Sequence, residues 1–381
     1  MSPIDQELAE YSDLFMWTAA IIYTAAFIAF AVDMARSSAT IRRLEAELAQ
    51  EHSARRESTR SKRQLAHAGA GGAEGAEDAA GLEGAAGVGD GGRIGDAGVP
   101  GDGTAGIAES EDLVDEDMDY VGLKRPIANV AVALTVIAVL AHWFAVVARG
   151  IASHRVPVAN MYEFLTTGAA IVAAVFLLVL LRKDVRFLGT IALGLVVVMM
   201  TAAQIGFPTP VAHVQPALQS YWIAIHVTLA VLAISLFTLT FAMNVLQLVQ
   251  SRREDALDAG RTTRLARTAF MRLVPSSMSL ENWAYRMNAV AFVLWMLGPL
   301  ITGAIWAEEA WGRYWGWDVK EVWTFVIWVV YAGYLHARAT RGWSGNRAAW
   351  LSIIGYGCII FNYAVVNVYF PGLHSYAGLP E

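Results

Sequence analysis

Histidine and tryptophan are the residue types in this chain whose spacing could do chemistry together. Two of its eight His, His226 and His374, stand on either side of a Trp-rich segment. His226 closes the run Leu218-Gln-Ser-Tyr-Trp-Ile-Ala-Ile-His226, and His374 lies in Gly372-Leu-His-Ser-Tyr-Ala-Gly378. Between them, eight of the 13 Trp fall in residues 306–350, and five of those in Trp306–Trp323. That segment interleaves indoles with Gly312 and Gly316 and with Glu308, Glu309, Asp318, Lys320 and Glu321. An interfacial belt of Trp and Tyr at headgroup level needs neither the glycines nor the charges. A flat aromatic ligand with polar edges needs both. A porphyrin face can stack on indole, while its carboxylates find donors in Arg313, Lys320 or backbone N–H groups. Imidazole is the usual axial ligand of heme iron.

The elements that must position these residues are membrane helices. The chain is 56% hydrophobic and only 16% charged, against about 25% charged in ordinary soluble domains. Its apolar residues form runs near the roughly 20 residues that cross a bilayer. Eight spans are predicted, at 14–32, 127–147, 164–181, 187–206, 221–249, 285–306, 322–340 and 348–370. The fifth is long and is expected to extend beyond the bilayer. Open sheet edges cannot face lipid, so the predicted fold class is an all-α, polytopic transmembrane bundle. Nothing resembles the basic face of a nucleic-acid binder.

Basic residues set the orientation. With the N-terminus outside, the loops after the first, third, fifth and seventh spans carry Arg42, Arg43, Arg182, Lys183, Arg252, Arg253, Arg338, Arg341 and others. The opposite side holds only Arg149, Arg155, Arg313 and Lys320. Both termini are therefore expected on the extracytoplasmic side. The loops Ser153–Phe164, Pro208–Tyr221 and Glu308–Glu321 and the tail Pro371–Glu381 then share that face. The first 13 residues carry Asp5, Glu7, Glu10 and Asp13 and no Lys or Arg. That is unlike a cleaved secretory signal, and the first span reads as a retained helix.

Three regions follow: an N-terminal transmembrane helix, 1–35; a cytoplasmic, charged and Gly/Ala-rich disordered loop, 36–125; and a transmembrane domain, 126–381, with the Trp segment 306–323. Residues 36–65 could form a helix. Residues 66–112 have too few apolar side chains to offset their ordering entropy. His52 and His67 fall in this loop and are assigned no role. The single cysteine, Cys358, lies in an apolar run with no Cys-x-x-Cys. That excludes a dithiol oxidoreductase and a carrier of covalent c-type heme, and Cys358 is expected to be a packing residue.

At Trp311-Gly-x-Tyr314-Trp315-x-Trp317-Asp318-x-Lys320-Glu321-x-Trp323 the chain resembles the WWD family of heme-handling proteins. The Lys-Glu-x-Trp continuation is similar to the CcsA (ResC, or in some genomes CcsB) branch of System II cytochrome c biogenesis. CcmC-like proteins continue instead with Arg-Leu-Thr-Ser, and CcmF-like ones with Pro-Val-Glu-Asn. Val319 stands where this branch often has Pro. A second match is Pro157-x-x-Asn160-x-Tyr162-Glu163, which reads equally as a helix N-cap with a carboxylate favoured by the helix dipole. The resemblance covers residues 126–381.

This resemblance implies heme b, held non-covalently in transit, with His226 and His374 as axial ligands of externally held heme. It matches His336 to a membrane-embedded ligand used earlier in transit. Trp311, Gly312, Tyr314, Trp315, Trp317, Asp318, Lys320, Glu321 and Trp323 would form the platform, supported by Asn160, Tyr162 and Glu163. No residue is expected to act as a nucleophile. The chain would be one subunit of a holocytochrome c synthase in the cell membrane. It would work with a ResB-type membrane protein, apocytochrome c and a thioredoxin-like outer reductant. The competing readings are a b-type electron-transfer subunit, with His226 and His142 as an outer pair, a transporter of another solute, and a purely structural scaffold. His142 otherwise reads as structural, and His154 and His213 as loop residues.

Overall fold

The computed structural model describes residues 4–70, 113–115, 118–120, 122, 124–212, 218–261, 263–265, 268–340 and 343–374. These residues are helical, apart from connections and one isolated bridge between Val114 and Tyr120. The helices are α1 (Gln6–Ala70), α2 (Pro126–Ser153), α3 (Met161–Leu180), α4 (Gly189–Thr201), α5 (Tyr221–Asp258), α6 (Ser277–Trp295), α7 (Gly303–Trp311), α8 (Val319–Ala339), α9 (Asn346–Phe361) and the short α10 (Asn367–Tyr369). Among the described residues, seven helical segments are long and apolar enough to cross a membrane. The chain is a multi-pass helical membrane protein. The seventh predicted span coincides with α8, whose 21 residues include Lys320, Glu321, His336 and Arg338 and are less apolar than the seven.

The chain divides into two compact units, Met1–Ser38 with Asp112–Glu381, and Ala39–Glu111. In the second unit helix continues to Ala70. The predicted loop 36–125 is thus helical at its start, where Glu, Arg, Ala and Leu are all good helix formers. The disorder predicted for 66–112 gives way to helix over 66–70, and the rest of that stretch, 71–112, lies outside the described residues. The end of the loop belongs to the first unit and is packed: Leu113, Val114 and Met118 are buried. Arg125 donates through Nε to Asp33 at 3.0 Å, joining the start of α2 to α1.

Two buried clusters share α5. One gathers α1–α4 around Phe30, Phe176 and Leu193. The other gathers α5, α6, α8 and α9 around Phe237, Trp295 and Tyr331. In the second cluster a polar ladder crosses between helices. Thr240 Oγ1 donates to Asn288 Oδ1 (2.7 Å), and the Asn288 and Asn244 amides each donate to Ser352 Oγ at 3.0 Å. Such contacts substitute for the hydrophobic drive that is missing between helices in lipid.

Among the described residues, three π-helical turns occur in the spans, at Ala202–Gly206, Met296–Thr302 and Asn362–Val366. π-Turns are frequent at functional sites. The second contains Pro299, which has no N–H to offer a preceding carbonyl. This turn joins α6 to α7, so helix extends through the predicted outer loop as far as Trp311.

Candidate functional site

α7 ends at Gly312, whose φ of 71° suits a residue without Cβ and whose N–H donates to Glu308 O at 2.8 Å. α8 begins at Asp318 with a reciprocal capping box: the Asp318 side chain accepts from the backbone of the first turn, and Glu321 reaches back to Asp318 N at 3.0 Å. Glu321 also accepts from Gly316 N at 2.8 Å. The Trp signature is therefore a short connection pinned between two helix ends. Trp317 adopts a φ of 58°, which a bulky residue rarely takes.

Beside this connection lies a cavity of about 150 Å³. Its wall draws on the start of α3 (Asn160, Phe164), the start of α5 (Ile223, His226), α7 and the turn before it (Pro299, Gly303, Trp306), Tyr314 and Trp315, the start of α8 (Lys320, Glu321), the α9 π-turn (Asn362, Tyr363) and His374. Two of the three predicted histidines, His226 and His374, thus line the same cavity although they are far apart in the sequence.

Each imidazole is held through Nδ1. His226 Nδ1 lies 3.3 Å from the Gly298 carbonyl, which belongs to the π-turn and also accepts from Thr302 Oγ1 at 2.8 Å. His374 Nδ1 lies 2.8 Å from Asp318 Oδ2, while Asp318 Oδ1 accepts from Leu373 N at 3.0 Å. The hydrogen bond from His374 and those from the Leu373 and Lys320 backbone hold the Asp318 carboxyl down at about 2. An imidazole whose Nδ1–H donates to a fixed acceptor keeps the Nε2 lone pair for a metal.

Trp306 touches both rings. Its indole stacks near-parallel on His226 (centroids 5.8 Å, 11°) and meets His374 edge-on at 5.6 Å. Trp311 packs against Trp306 at 4.7 Å and against His374 at 4.9 Å. Trp306 was not among the predicted site residues, although it lies five residues before Trp311. A five-residue separation is not the three- or four-residue spacing of a shared helix face, so the only signal was that Trp306 opens the Trp-rich segment.

The remaining predicted residues are dispersed. Trp317 is 68% exposed and meets Trp315 edge-on at 5.7 Å. Trp323 packs on Phe361 at 4.4 Å and is not in the cavity wall. His336 lies in the last turn of α8, exposed and away from the cavity. Asn160 caps α3 through Glu163 N at 2.9 Å and also lines the cavity. Tyr162 lies under Arg149, with the guanidinium carbon 4.5 Å from its ring centre. Glu163 is fully buried between Arg149 (3.1 Å) and Arg155 (2.6 Å). Both Arg side chains went unrecognised in the sequence, where they read as outer-loop charges. His142 is buried away from the cavity, 3.4 Å from the Tyr23 hydroxyl, so it forms no pair with His226. His154 caps α2 in the left-handed conformation. His213 lies outside the described residues.

Residues 158–374, which include every wall of the cavity, match the cytochrome C assembly protein family. The chain belongs to this family. The cytochrome c biogenesis protein CcsA of Heterosigma akashiwo is 32% identical over 249 residues, covering 58% of this chain and 77% of the relative. CcsA of Porphyra purpurea is 29% identical over 283 residues (66% and 85%), and that of Synechococcus elongatus 32% over 265 (60% and 81%). This member of the cytochrome c assembly family is accordingly of CcsA type, acts in cytochrome c biogenesis, and belongs to a family whose work implies heme handling.

Gly303 is a close-approach position in this family member. A Cβ there would lie 2.8 Å from His226 Nδ1 and 2.9 Å from its Cε1. Gly303→Ala is expected to push the imidazole off the Gly298 carbonyl and to destabilise the protein by roughly 1–3 kcal/mol, the usual range for overpacking. A lowered thermal midpoint in detergent would register it; an unchanged midpoint would show that the ring moves freely.

Proposed function

We propose that the cavity holds heme b on the extracytoplasmic side of the cell membrane and presents it to apocytochrome c for thioether attachment. His226 and His374 serve as its axial ligands. The observation that carries this reading is that both imidazoles reach one cavity with Nδ1 engaged by a protein acceptor. Among the described residues no cluster of three or more His, Cys, Asp or Glu could hold a bare metal ion. Two nitrogens suit an iron whose four equatorial positions a macrocycle already fills. Trp306 and Trp315 supply aromatic faces, Trp311 backs Trp306 and His374, and Asp318 and Gly298 orient the ligands.

A cavity of about 150 Å³ is smaller than the roughly 300–1,000 Å³ of most ligand pockets, so loading opens it. Trp306, which contacts both imidazoles, is the ring that must yield. The chemistry that follows belongs to cargo and substrate. A cysteine sulfur of apocytochrome c bonds to one vinyl carbon, the double bond becomes single, and a proton completes the other carbon. No electrons are gained or lost in the addition, so the reductant serves only to keep the cysteines as thiols. The apocytochrome histidine displaces one of the two ligands as the vinyl groups meet those thiols.

His336 belongs to a separate, earlier station. It is exposed on the same face of α8 as Phe325 and Val329, so a second ligand there comes from outside this chain. A ResB-type membrane partner would supply it.

The test is an absorption spectrum of the protein purified with its ResB-type partner. The expected result is a six-coordinate, b-type signal that apocytochrome c converts to a c-type signal in the presence of a thiol reductant. A heme-free complex that still matures cytochrome c would overturn the reading.

A further inference from the structure

We infer that Lys320, held against the Asn362 carbonyl, is a carboxylate subsite of the cavity and takes one acidic side chain at the edge of the cargo porphyrin. The inference rests on the heme reading above and adds which group recognises the porphyrin's edge. Lys320 lines the cavity from the first turn of α8. Its ammonium donates to Asn362 O at 2.9 Å and sits 4.5 Å from the centre of the Tyr363 ring. Among the described residues it forms no ion pair within 4 Å.

The nearby carboxylates are committed elsewhere. Asp318 accepts from His374, Leu373 N and Lys320 N. Glu321 accepts from Gly316 N and Asp318 N. An ammonium has three N–H donors, and the Asn362 carbonyl engages one. A cation drawn out of water with donors left over is costly until an anion meets it.

A second observation points the same way. Asn362 is 2% exposed and lines the same wall, and its Oδ1 has no hydrogen-bond partner. Turning this amide over would present its NH₂ to an anion, since its two ends are interchangeable in shape. Beside these two residues the wall carries a flat aromatic face, where Tyr363 stacks on Phe164 at 4.5 Å and 12°. A cation at the edge of an aromatic slot fits a planar ligand with an acidic rim better than a small free anion.

The experiment compares heme with heme dimethyl ester, whose carboxylates are neutralised. Each is titrated into the heme-stripped complex with the ResB-type partner and followed by absorbance. Wild-type protein is expected to bind heme about tenfold more tightly than the ester, the scale of one charge-assisted hydrogen bond. Lys320→Met is expected to weaken heme about tenfold, leave the ester unchanged, and so abolish the preference, while Lys320→Arg retains it. Equal weakening of both porphyrins in Lys320→Met, or no preference in wild-type protein, overturns the inference and leaves the heme reading standing. Failure of wild-type protein to take up either porphyrin overturns both.

Discussion

Asp318→Ala is expected to lower heme affinity about 10- to 100-fold, the usual cost of removing the partner of a metal-ligating histidine. The loss comes from His374. Its Nδ1 lies 2.8 Å from Asp318 Oδ2, and Leu373 N is tied to the other oxygen at 3.0 Å. Without the carboxylate both the tautomer and the position of the tail are released. His374→Ala is expected to go further and lose the six-coordinate signal, which added imidazole restores in part. Imidazole cannot restore Asp318→Ala in the same way, because the native ligand remains and competes. Asp318→Asn separates capping from orientation. Asn still caps α8 well but accepts a weaker bond from Nδ1–H, so an intermediate loss with an unchanged thermal midpoint is expected. The pH dependence has a definite sign. The Asp318 carboxyl is depressed to about 2, so its stabilising contribution is complete above the ordinary carboxylate range near ~4. It fades only as pH falls through about 2. The nitrogen-15 resonance of His374 Nδ1 should therefore report the contact unbroken between pH 7 and about 4. Loss of the contact within that window would show that the pair is not what holds the ring.

The sequence made the membrane helices legible because apolar runs of bilayer length leave few alternatives. It also identified the Trp signature and the two histidines of the cavity. What it could not carry was pairing across distance. Asp318 read as part of an aromatic platform, and nothing local marks it as the partner of a histidine 56 positions away. Trp306 stood outside the signature, and its contact with both imidazoles exists only once α5, α7 and the tail converge. Conversely, Trp323 and Trp317 fit the motif by type, yet one packs on Phe361 and the other is exposed. A motif fixes which residues recur; helix ends and π-turns decide which of them face the cavity. The predicted loop 36–125 shows the same limit, since composition sees a charged tract but not the buried seat of Leu113, Val114 and Met118.

Glu163 carries the largest expected effect on stability. Its carboxylate is fully buried and receives Arg149 Nε at 3.1 Å, Arg155 Nη1 at 2.6 Å and Ala159 N at 2.9 Å. Arg149 is itself 1% exposed and reaches on to the Thr209 carbonyl at 2.6 Å. The arrangement ties the end of α2, the start of α3 and the connection after α4 to one anion. Glu163→Ala removes the carboxylate shared by the buried Arg149 and the partly buried Arg155, and leaves Arg149 only the exposed Asp13, at 3.6 Å. Breaking a buried pair in this way costs roughly 3–5 kcal/mol, because the remaining charge is not compensated. Glu163→Gln keeps the size and an acceptor oxygen and loses the charge, so its cost should be smaller. Thermal unfolding in detergent gives the order wild type, Glu163→Gln, Glu163→Ala. A midpoint for Glu163→Ala equal to that of wild type would mean that the arginines are neutralised by another group. The effect on heme should then differ in kind from that of Asp318→Ala. Asn160 caps α3 through Glu163 N and lines the cavity, so loosening this corner moves a wall. The surviving folded fraction should still ligate iron through both imidazoles, with the six-coordinate spectrum unchanged in shape and reduced in amount.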